Sequence, residues 1–543
     1  MRGRRWSMAF VAGGAVFVLA ALLVDPTSPC DSDEGHHVLS ALRFSRALST
    51  HDFSDFARHT LKGGRYPFLH GWAGAAVFSV FGEGLFAIRL LSSLLLGASA
   101  ALVAALFFAL RPRAHALWAL PLGAAVALAP ECLANGTIAM LEVPGLFLVT
   151  FGAFAYQRHA GTGGRGWALG AGLAAVVGFY VKYPYGAYLL LPLGLSELLR
   201  ARFRILRLLR VPSLLVWGPA TAALLLWLAI PQSRASILTL LGDAPDSVIR
   251  EARPDPLRVP VVQPAVFAFY LGTLFRSVTP GILAGALLGV GAIMAFVRGG
   301  RFERVVLAGG LLWTILTLSL SYRTFGVDRF LVPAAGLFVV LGAVGLADFW
   351  TLARRTGARA GSAALTLGMV LLVAAAGEAA WRLPRTLGFA RAAVETGPRE
   401  KQALRWIVGA VETPANLLVV GNWDQLSEDA IRIEFLLTRR SARFSDLDVK
   451  AIRREKIYDG TKRLDRWFSE ESVHHPPGEP VRPRAVLFVH PSTDARRGDV
   501  DAENFARILS RASALTAASP WVESPQASVP LAEFLLRRAP PAD

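Results

Sequence analysis

The 543-residue chain is 53% hydrophobic and only 18% charged, with a mean hydropathy of +0.44. A soluble protein of this size carries more charge and fewer unbroken apolar runs, so the composition indicates a polytopic α-helical membrane protein. The net charge of +17 does not indicate nucleic-acid binding, because the arginines lie in short clusters between apolar segments, without a stripe of interleaved aromatic residues.

Apolar segments recur along the chain as far as residue 381, and a bilayer span needs about 20 apolar residues. Basic clusters fall in alternate gaps, which predicts a cytoplasmic N-terminus and an outer C-terminus. The first segment leads into Asp25-Pro26 without a small-residue cleavage site, so we expect an uncleaved helix and not a signal peptide. The predicted spans, about eleven in number, are 8–24, 85–110, 115–130, 138–156, 167–181, 185–199, 212–230, 280–297, 305–320, 330–349 and 361–381.

The first outer loop, residues 25–84, follows the first span and carries two adjacent carboxylates, Asp33 and Glu34. An acidic pair beside a bilayer is costly to hold without a partner or a task. We therefore expect these carboxylates to form the heart of an active site that faces away from the cytoplasm. Two further segments of the loop, around 38–48 and 68–81, are predicted to be interfacial helices.

Residues 167–199 are nearly continuous and apolar, and as one helix they would be about 50 Å long against a hydrocarbon core of about 30 Å. Two short spans with an outward-facing turn at Lys182 fit the bilayer better. Lys182 is the one lysine embedded in apolar sequence. Either its side chain snorkels from a helix end, or it supplies the cation for a buried phosphate.

Three more polar residues are predicted on or near the same face. Glu142 begins a span, where a carboxylate either favours the helix N-terminus or serves the site. Arg329 either pairs with Asp328 or clamps phosphate oxygens. Arg89 lies early in its span and either snorkels or reaches the same cavity.

A metal site at His36-His37 is the less favoured alternative, because adjacent residues on a helix point about 100° apart and make poor ligand pairs. No cofactor is required by the sequence, and a divalent cation remains an alternative. Cys30 and Cys132 are both predicted near the site on the oxidising side, where a disulfide between them is an open alternative.

The segment 231–275 and the region after Pro384 are not predicted to be simple membrane spans. Residues 261–275 are assigned to the outer interface or to a re-entrant helix, and the polar segment 231–263 before them to a flap over the site. The composition becomes polar after Pro384, with strand patterns at 417–421 and 485–490. We expect a transmembrane domain over 1–384 and a small outer α/β domain over 385–543.

Several motifs over residues 8–350 follow one another in the order of a known pattern. They resemble the first-loop signature and later motifs of the GT-C fold glycosyltransferases, in particular the protein O-mannosyltransferases and the bacterial enzymes that add aminoarabinose to lipid A. Glu142 stands where that pattern usually has Asp, and the C-terminal region has no counterpart. The motifs are Ser32–Val38, Gly64–Leu69, Phe81–Glu83, Ala87–Leu90, Lys182–Pro184 and Asp328–Pro333.

The resemblance implies a GT-C membrane fold and inverting transfer of a sugar from a polyprenyl-phosphate donor to a lipid, glycan or protein acceptor on the outer face of a bacterial inner membrane. Asp33 would be the general base, and Glu34 would position Asp33, the acceptor or a cation. Lys182 and Arg329 would neutralise the leaving phosphate. The remaining substrate-binding residues would be Glu142, Arg89, Tyr66, His36 and His37.

Two other functions are weighed against the transferase. Intramembrane charges also mark the substrate paths of transporters, and a lipid-linked sugar flippase would share them. A non-catalytic scaffold for envelope assembly would use the outer domain alone. The polar residues are predicted at one face and not at mid-depth, and no inverted repeat is seen, which favours the enzyme.

Overall fold

The computed structural model places most of the helical region and isolated parts of the C-terminal region. The residues it describes are 2–26, 30, 32–61, 67–230, 234, 264–321, 327–355, 374–375, 377–378, 380–382, 404–405, 408, 415–420, 428–438, 447–452, 485–491, 521–523 and 532–538.

The described residues up to 230 are almost entirely helical, as the long apolar runs predict. The two helices expected in the first loop are present as α2 and α4, and their interfacial position stays a prediction. In chain order the helices are α1 (Arg2–Leu22), α2 (Ser32–Ser49), α3 (Phe53–Leu61), α4 (Leu69–Phe81), α5 (Leu85–Leu110), α6 (Ala119–Ala127), α7 (Pro130–Gly136), α8 (Glu142–Thr162), α9 (Arg165–Val181), α10 (Tyr183–Arg200), α11 (Ile205–Leu208) and α12 (Val211–Ala229).

The helical region resumes at Pro264. The segment assigned to the interface or to a re-entrant helix is helical, whereas the expected flap at 231–263 lies almost entirely outside the described residues. The elements are α13 (Pro264–Arg276), α14 (Ile282–Arg298), a π-helix (Phe302–Ala308), α15 (Gly309–Ser321), a 3-10 turn (Asp328–Leu331) and α16 (Val332–Arg355).

The protein is a multi-pass membrane protein. Within the described residues, five helices are long and apolar enough to cross a bilayer, or six if one bent pair counts as a single span. That pair joins Ala116–Ala127, which lies within the predicted span 115–130, to Pro130–Gly136, which continues beyond it, with a bend of 76° between the two helices. Pro130 explains the break, because proline fits the first turn of a new helix but not the interior of a continuous one. The count of eleven stays a prediction, and most of the span expected at 361–381 lies outside the described residues.

The core of the helical region lies between helices that cross in its middle. Helix α5 packs against α1 and α8, while α8 also packs against α9 and α16. Side chains of Val103 and Leu106 on α5, Val149 on α8 and Val340 on α16 are fully buried there. In a bilayer such packing supplies the association of helices, since the surrounding lipid is as apolar as the core.

Helices α14 and α16 touch backbone to backbone. A Cβ atom at Gly345 would collide with the carbonyl oxygen of Gly291, and one at Gly342 would lie 2.6 Å from the carbonyl oxygen of Leu288. Glycine therefore permits an approach that no larger residue allows.

Residues Asp25–Ser40 and Arg391–Asp543 form a second compact unit. It contains a five-stranded sheet with the strand order β2-β1-β3-β5-β4. β1 is parallel to β2 and β3, whereas β5 is antiparallel to β3 and β4. The predicted strands at 417–421 and 485–490 correspond to β1 and β3; an outer position for this unit stays a prediction. The elements are β1 (Ala415–Val420), α17 (Glu428–Thr438), β2 (Leu447–Ile452), β3 (Ala485–Pro491), β4 (Trp521–Glu523) and β5 (Ala532–Arg538).

Candidate active site

Lys182 lies at a break between two helices, as predicted from the length of the apolar run. Helix α9 ends at Val181 and α10 begins at Tyr183, and Lys182 between them is extended, with φ −156° and ψ 124°. Its backbone N–H donates to Gly178 O, and its carbonyl oxygen accepts from Tyr185 N. Pro184 starts α10, where its missing N–H costs nothing. The break therefore holds the lysine between two helix ends.

The Lys182 ammonium pairs with Glu142, the first residue of α8. The Nζ to Oε1 distance is 3.0 Å, and Glu142 is only 1% exposed while the Lys182 side chain is 16% exposed. Within the described part of the chain, Glu142 Oε2 is buried and has no hydrogen-bond partner. A buried carboxylate held by one bond from one cation is incompletely satisfied, which is costly and typical of a site that awaits a further group.

Two aromatic rings flank the lysine. Lys182 Nζ lies 4.5 Å from the ring centroid of Phe330 and 5.5 Å from that of Tyr185. At these distances both rings attract the ammonium and help to hold it in place. Gly145, one turn beyond Glu142, makes room for this arrangement, because a Cβ there would lie 2.6 Å from Tyr185 Cε2.

Arg329 reaches the same cluster from the 3-10 turn before α16. Its guanidinium carbon is 5.4 Å from the Phe330 ring, whose centroid also attracts Lys182. The neighbouring carboxylate of Asp328 accepts hydrogen bonds from Thr273 Oγ1 at 2.9 Å and Ser277 Oγ at 2.8 Å. Asp328 therefore fastens the turn to α13, and Arg329 is positioned by it.

The structure adds Glu131 to the predicted residues. Its carboxylate interacts electrostatically with Asp328, Arg329 and Glu142. Asn135 Nδ2 donates to Glu131 Oε2 at 3.2 Å, and the backbone N–H of Glu131 donates to Ser277 O. The sequence held one signal for it, since residue 131 falls in a predicted outer gap between spans.

His70, on helix α4, is the second addition. Burial lowers the pKa of His70 from its ordinary 6.5 to about 4, and the negative charge of Glu142 opposes this shift only in part. The imidazole is therefore neutral at physiological pH. A single histidine in an apolar run gave no sequence signal, because a buried histidine of that kind is usually part of a core.

The acidic motif occupies the first turns of α2, which begins at Ser32. Asp33 is half-buried, Glu34 is 1% exposed, His37 is buried and His36 is exposed. The two imidazole ring centroids are 5.9 Å apart at 79°, so adjacent histidines diverge as expected. This stretch belongs to the second compact unit, and its convergence with Lys182 stays a prediction.

The remaining sequence predictions concern Arg89, Tyr66, a disulfide and a metal site. Arg89 is 1% exposed on α5, so it is enclosed by protein and does not snorkel. Tyr66 lies outside the described residues. The alternative disulfide is wrong: Cys30 and Cys132 are both buried thiols. In the described ranges no group of three or more His, Cys, Asp or Glu side chains is arranged to hold a metal ion.

Comparison of the sequence with protein-family models and with curated proteins finds no match. Comparison of the structure with solved structures finds ArnT from Cupriavidus metallidurans. With ArnT bound to undecaprenyl phosphate the TM-score is 0.57 at 13% identity, over 98% of each chain. With apo ArnT the TM-score is 0.54 at 13% identity, over 99% of this chain and 98% of that one.

The chain has the GT-C fold. The match spans both chains almost completely, so it includes the C-terminal region that the sequence motifs did not reach. At this level of identity the likeness shows the GT-C fold alone, and the chemistry has to be argued from this chain's own residues.

Proposed function

We propose that the protein is a membrane glycosyltransferase that moves a sugar from a polyprenyl-phosphate donor to an acceptor hydroxyl on the outer face of the membrane. The observation that carries the proposal is Lys182, a cation fixed at a helix break beside a buried carboxylate with an open oxygen. ArnT, which shares the fold, has been crystallised bound to undecaprenyl phosphate. A lipid phosphate is the anion that such a lysine suits.

The phosphate would bind between Lys182 and Arg329. Lys182 Nζ lies 4.5 Å and the Arg329 guanidinium carbon 5.4 Å from the centroid of the Phe330 ring, which supports a phosphate site shared by the two cations. A planar guanidinium and a compact ammonium together neutralise a phosphate that gains charge as it leaves. Glu142 holds Lys182 in place before the anion arrives and limits how tightly the anion is bound, because it competes for the same ammonium.

The transfer would be a single displacement. The acceptor oxygen forms a bond to the anomeric carbon while the bond from that carbon to the phosphate oxygen breaks, and the acceptor proton passes to Asp33. The bonding pair leaves with the polyprenyl phosphate, towards Lys182 and Arg329. A carboxylate base and paired cations are what an oxocarbenium-like transition state with a departing anion requires. Glu34 would orient Asp33 or the acceptor.

Two measurements on two variants test this proposal. Purified protein is titrated with undecaprenyl phosphate in native mass spectrometry, and envelope lipids and glycans of cells with and without the protein are compared by mass spectrometry. We expect Lys182→Met to lose binding of the lipid phosphate and Asp33→Asn to retain binding but lose the glycosylated product.

The matched control is Glu197→Gln, at the far end of α10, which should keep both signals. Transfer at the wild-type rate by Asp33→Asn would remove Asp33 as the base. Vesicles that move a lipid-linked sugar across the bilayer without any covalent product would favour the translocator over the transferase.

A further inference from the structure

The segment that joins α10 to α12, residues 201–210 and here called the basic loop, exposes several large apolar side chains close together. Ile205 is 71% exposed and Leu206 81% exposed. Phe203 and Leu209 are likewise exposed by more than half. Large apolar side chains that are exposed together, and not singly, mark a surface that meets another phase or molecule.

Arginines alternate with these apolar residues. The basic loop carries Arg202, Arg204, Arg207 and Arg210. Among the described residues none of these four forms an ion pair, whereas the preceding Arg200 pairs with Glu197. Four uncompensated guanidinium groups within ten residues repel one another and attract an anionic surface.

The backbone holds the basic loop in one shape. Arg202 and Phe203 have positive φ angles of 52° and 58°, which non-glycine residues rarely adopt. Hydrogen bonds hold this conformation, from Arg202 N to Leu199 O and from Phe203 N to Leu198 O. Trp217 Nε1 also donates to Leu208 O. A strained turn that is fixed in this way points to a surface that is formed in advance of its partner.

The position of the basic loop along the chain identifies the phase that it meets. Helix α12 begins at Val211, directly after it, and is one of the helices able to cross a bilayer. A segment at the end of a span lies at the level of the lipid headgroups. There, arginines meet phosphates while apolar side chains reach the acyl chains, the arrangement typical of interfacial amphipathic segments. A free phosphate would satisfy the arginines only.

We propose that the basic loop is a docking surface for anionic phospholipid, with its arginines on the headgroups and with Phe203 and Leu206 inserted among the acyl chains. The leaflet is the cytoplasmic one in the predicted topology, but the proposal holds for either leaflet. It is independent of the proposed transfer reaction, since it uses none of the residues near Lys182.

Selective quenching of a fluorophore tests the proposal. Leu206→Cys is labelled with a bimane; Cys30 and Cys132 are buried, so the label attaches at position 206. The full-length protein is reconstituted in phosphatidylcholine nanodiscs that contain equal fractions of doxyl-labelled phosphatidylglycerol or doxyl-labelled phosphatidylcholine. We expect the anionic quencher to be about tenfold more effective at low mole fraction, and 0.5 M salt to reduce the difference.

Two charge variants locate the effect. Replacing the four arginines of the basic loop by glutamine should bring the ratio of the two quenching efficiencies to about one. The double variant Arg298→Gln/Arg301→Gln changes another basic cluster between two predicted spans. It should leave the ratio of the two quenching efficiencies unchanged. Soluble glycerol phosphate should not compete with the labelled lipid, and size-exclusion profiles confirm folding of each variant.

The proposal is overturned if the two lipids quench the wild-type label equally, or if the selectivity survives in the glutamine variant. It is also overturned if aqueous iodide quenches the label as strongly in nanodiscs as in a water-exposed control position, because the basic loop then lies in water.

Discussion

Helices α8 and α10 carry two buried carboxylates, one near each end of the pair. The difference between them separates a closed polar cluster from the proposed phosphate site. Glu142 lies at the start of α8 and pairs with Lys182 before α10. Glu197 lies near the end of α10 and meets Tyr156 near the end of α8. Both carboxylates are 1% exposed. The two carboxylates are therefore equally buried, and they differ only in the groups that they contact.

The Glu197 cluster is closed. Oε1 accepts from Tyr156 OH at 2.9 Å and from Arg200, and Oε2 accepts a short hydrogen bond of 2.5 Å from Ser213 Oγ. His159 contacts the same Arg200 at 3.1 Å. Glu142, in contrast, has one oxygen without a partner in the described chain. A fully satisfied network stabilises a unique packing, whereas an open one has capacity for a ligand.

The largest expected effect comes from Lys182→Met, which keeps the volume of the side chain and removes its charge. Transfer should fall by about a hundredfold or more, since a charge aimed at the leaving group is lost. The unfolding free energy should also fall, by about 3 kcal/mol, because Glu142 becomes a buried charge without its cation. Product formation per folded enzyme and thermal melting in detergent measure the two effects.

Adding Glu142→Gln to Lys182→Met separates the two effects. The double variant has no unpaired charge, so its melting temperature should return most of the way to the wild-type value while transfer stays low. Recovery of transfer together with stability would show that Lys182 is structural, like Arg200 at the other end.

The next largest expected effect is the loss of folding stability when His70 is protonated. The pKa of His70 is about 4 in the folded protein and 6.5 in the unfolded chain. Between these two pH values the unfolded chain therefore binds a proton at His70 that the folded protein does not bind. Stability should therefore be full above pH 6.5 and fall by about 3 kcal/mol as the pH drops to 4. His70→Gln should flatten this part of the melting-temperature profile, and parallel profiles for the two proteins would contradict the assignment.

Glu197→Gln should have a smaller effect, confined to stability. The amide keeps one acceptor but replaces the other with a donor that faces Ser213 or Tyr156, which costs about 1–3 kcal/mol. Binding of undecaprenyl phosphate by the folded fraction should change less than about twofold, because the cluster lies at the opposite end of α10. A loss of binding equal to that of Lys182→Met would erase the distinction between the two clusters.

Gly145→Ala is expected to change the site least. The new methyl group would displace Tyr185, which lies 5.5 Å from the Lys182 ammonium, without removing a charge. Weaker lipid-phosphate binding, by about threefold to tenfold, with nearly unchanged turnover would agree with a positioning role. Gly194→Ala on α10, where nothing lies within 4 Å of the new atom, is the matched control.

The sequence predicted the parts of the site that depend on length and local rules. The break at Lys182 follows from an apolar run too long for one span and from Pro184. A helix with Glu142 near its start was likewise predicted, as the span 138–156, whereas α8 begins four residues later. Glu131 and His70 were not predicted, because their roles depend on which distant helices meet. Nor did the sequence predict the short helix α7, since the predicted span 115–130 ends where that helix begins.

The proposed donor would bind beside a closely packed pair of helices, α14 and α16. Since α14 and α16 meet through the backbones of Gly291 and Gly345, neither helix slides along the other without collision. Helix α16 begins at Val332, three residues after Arg329. Adjustment of the Arg329 guanidinium to the proposed phosphate would therefore fall to the short turn 328–331, which Asp328 ties to α13. A graft of this candidate site onto another scaffold would have to carry that turn with it.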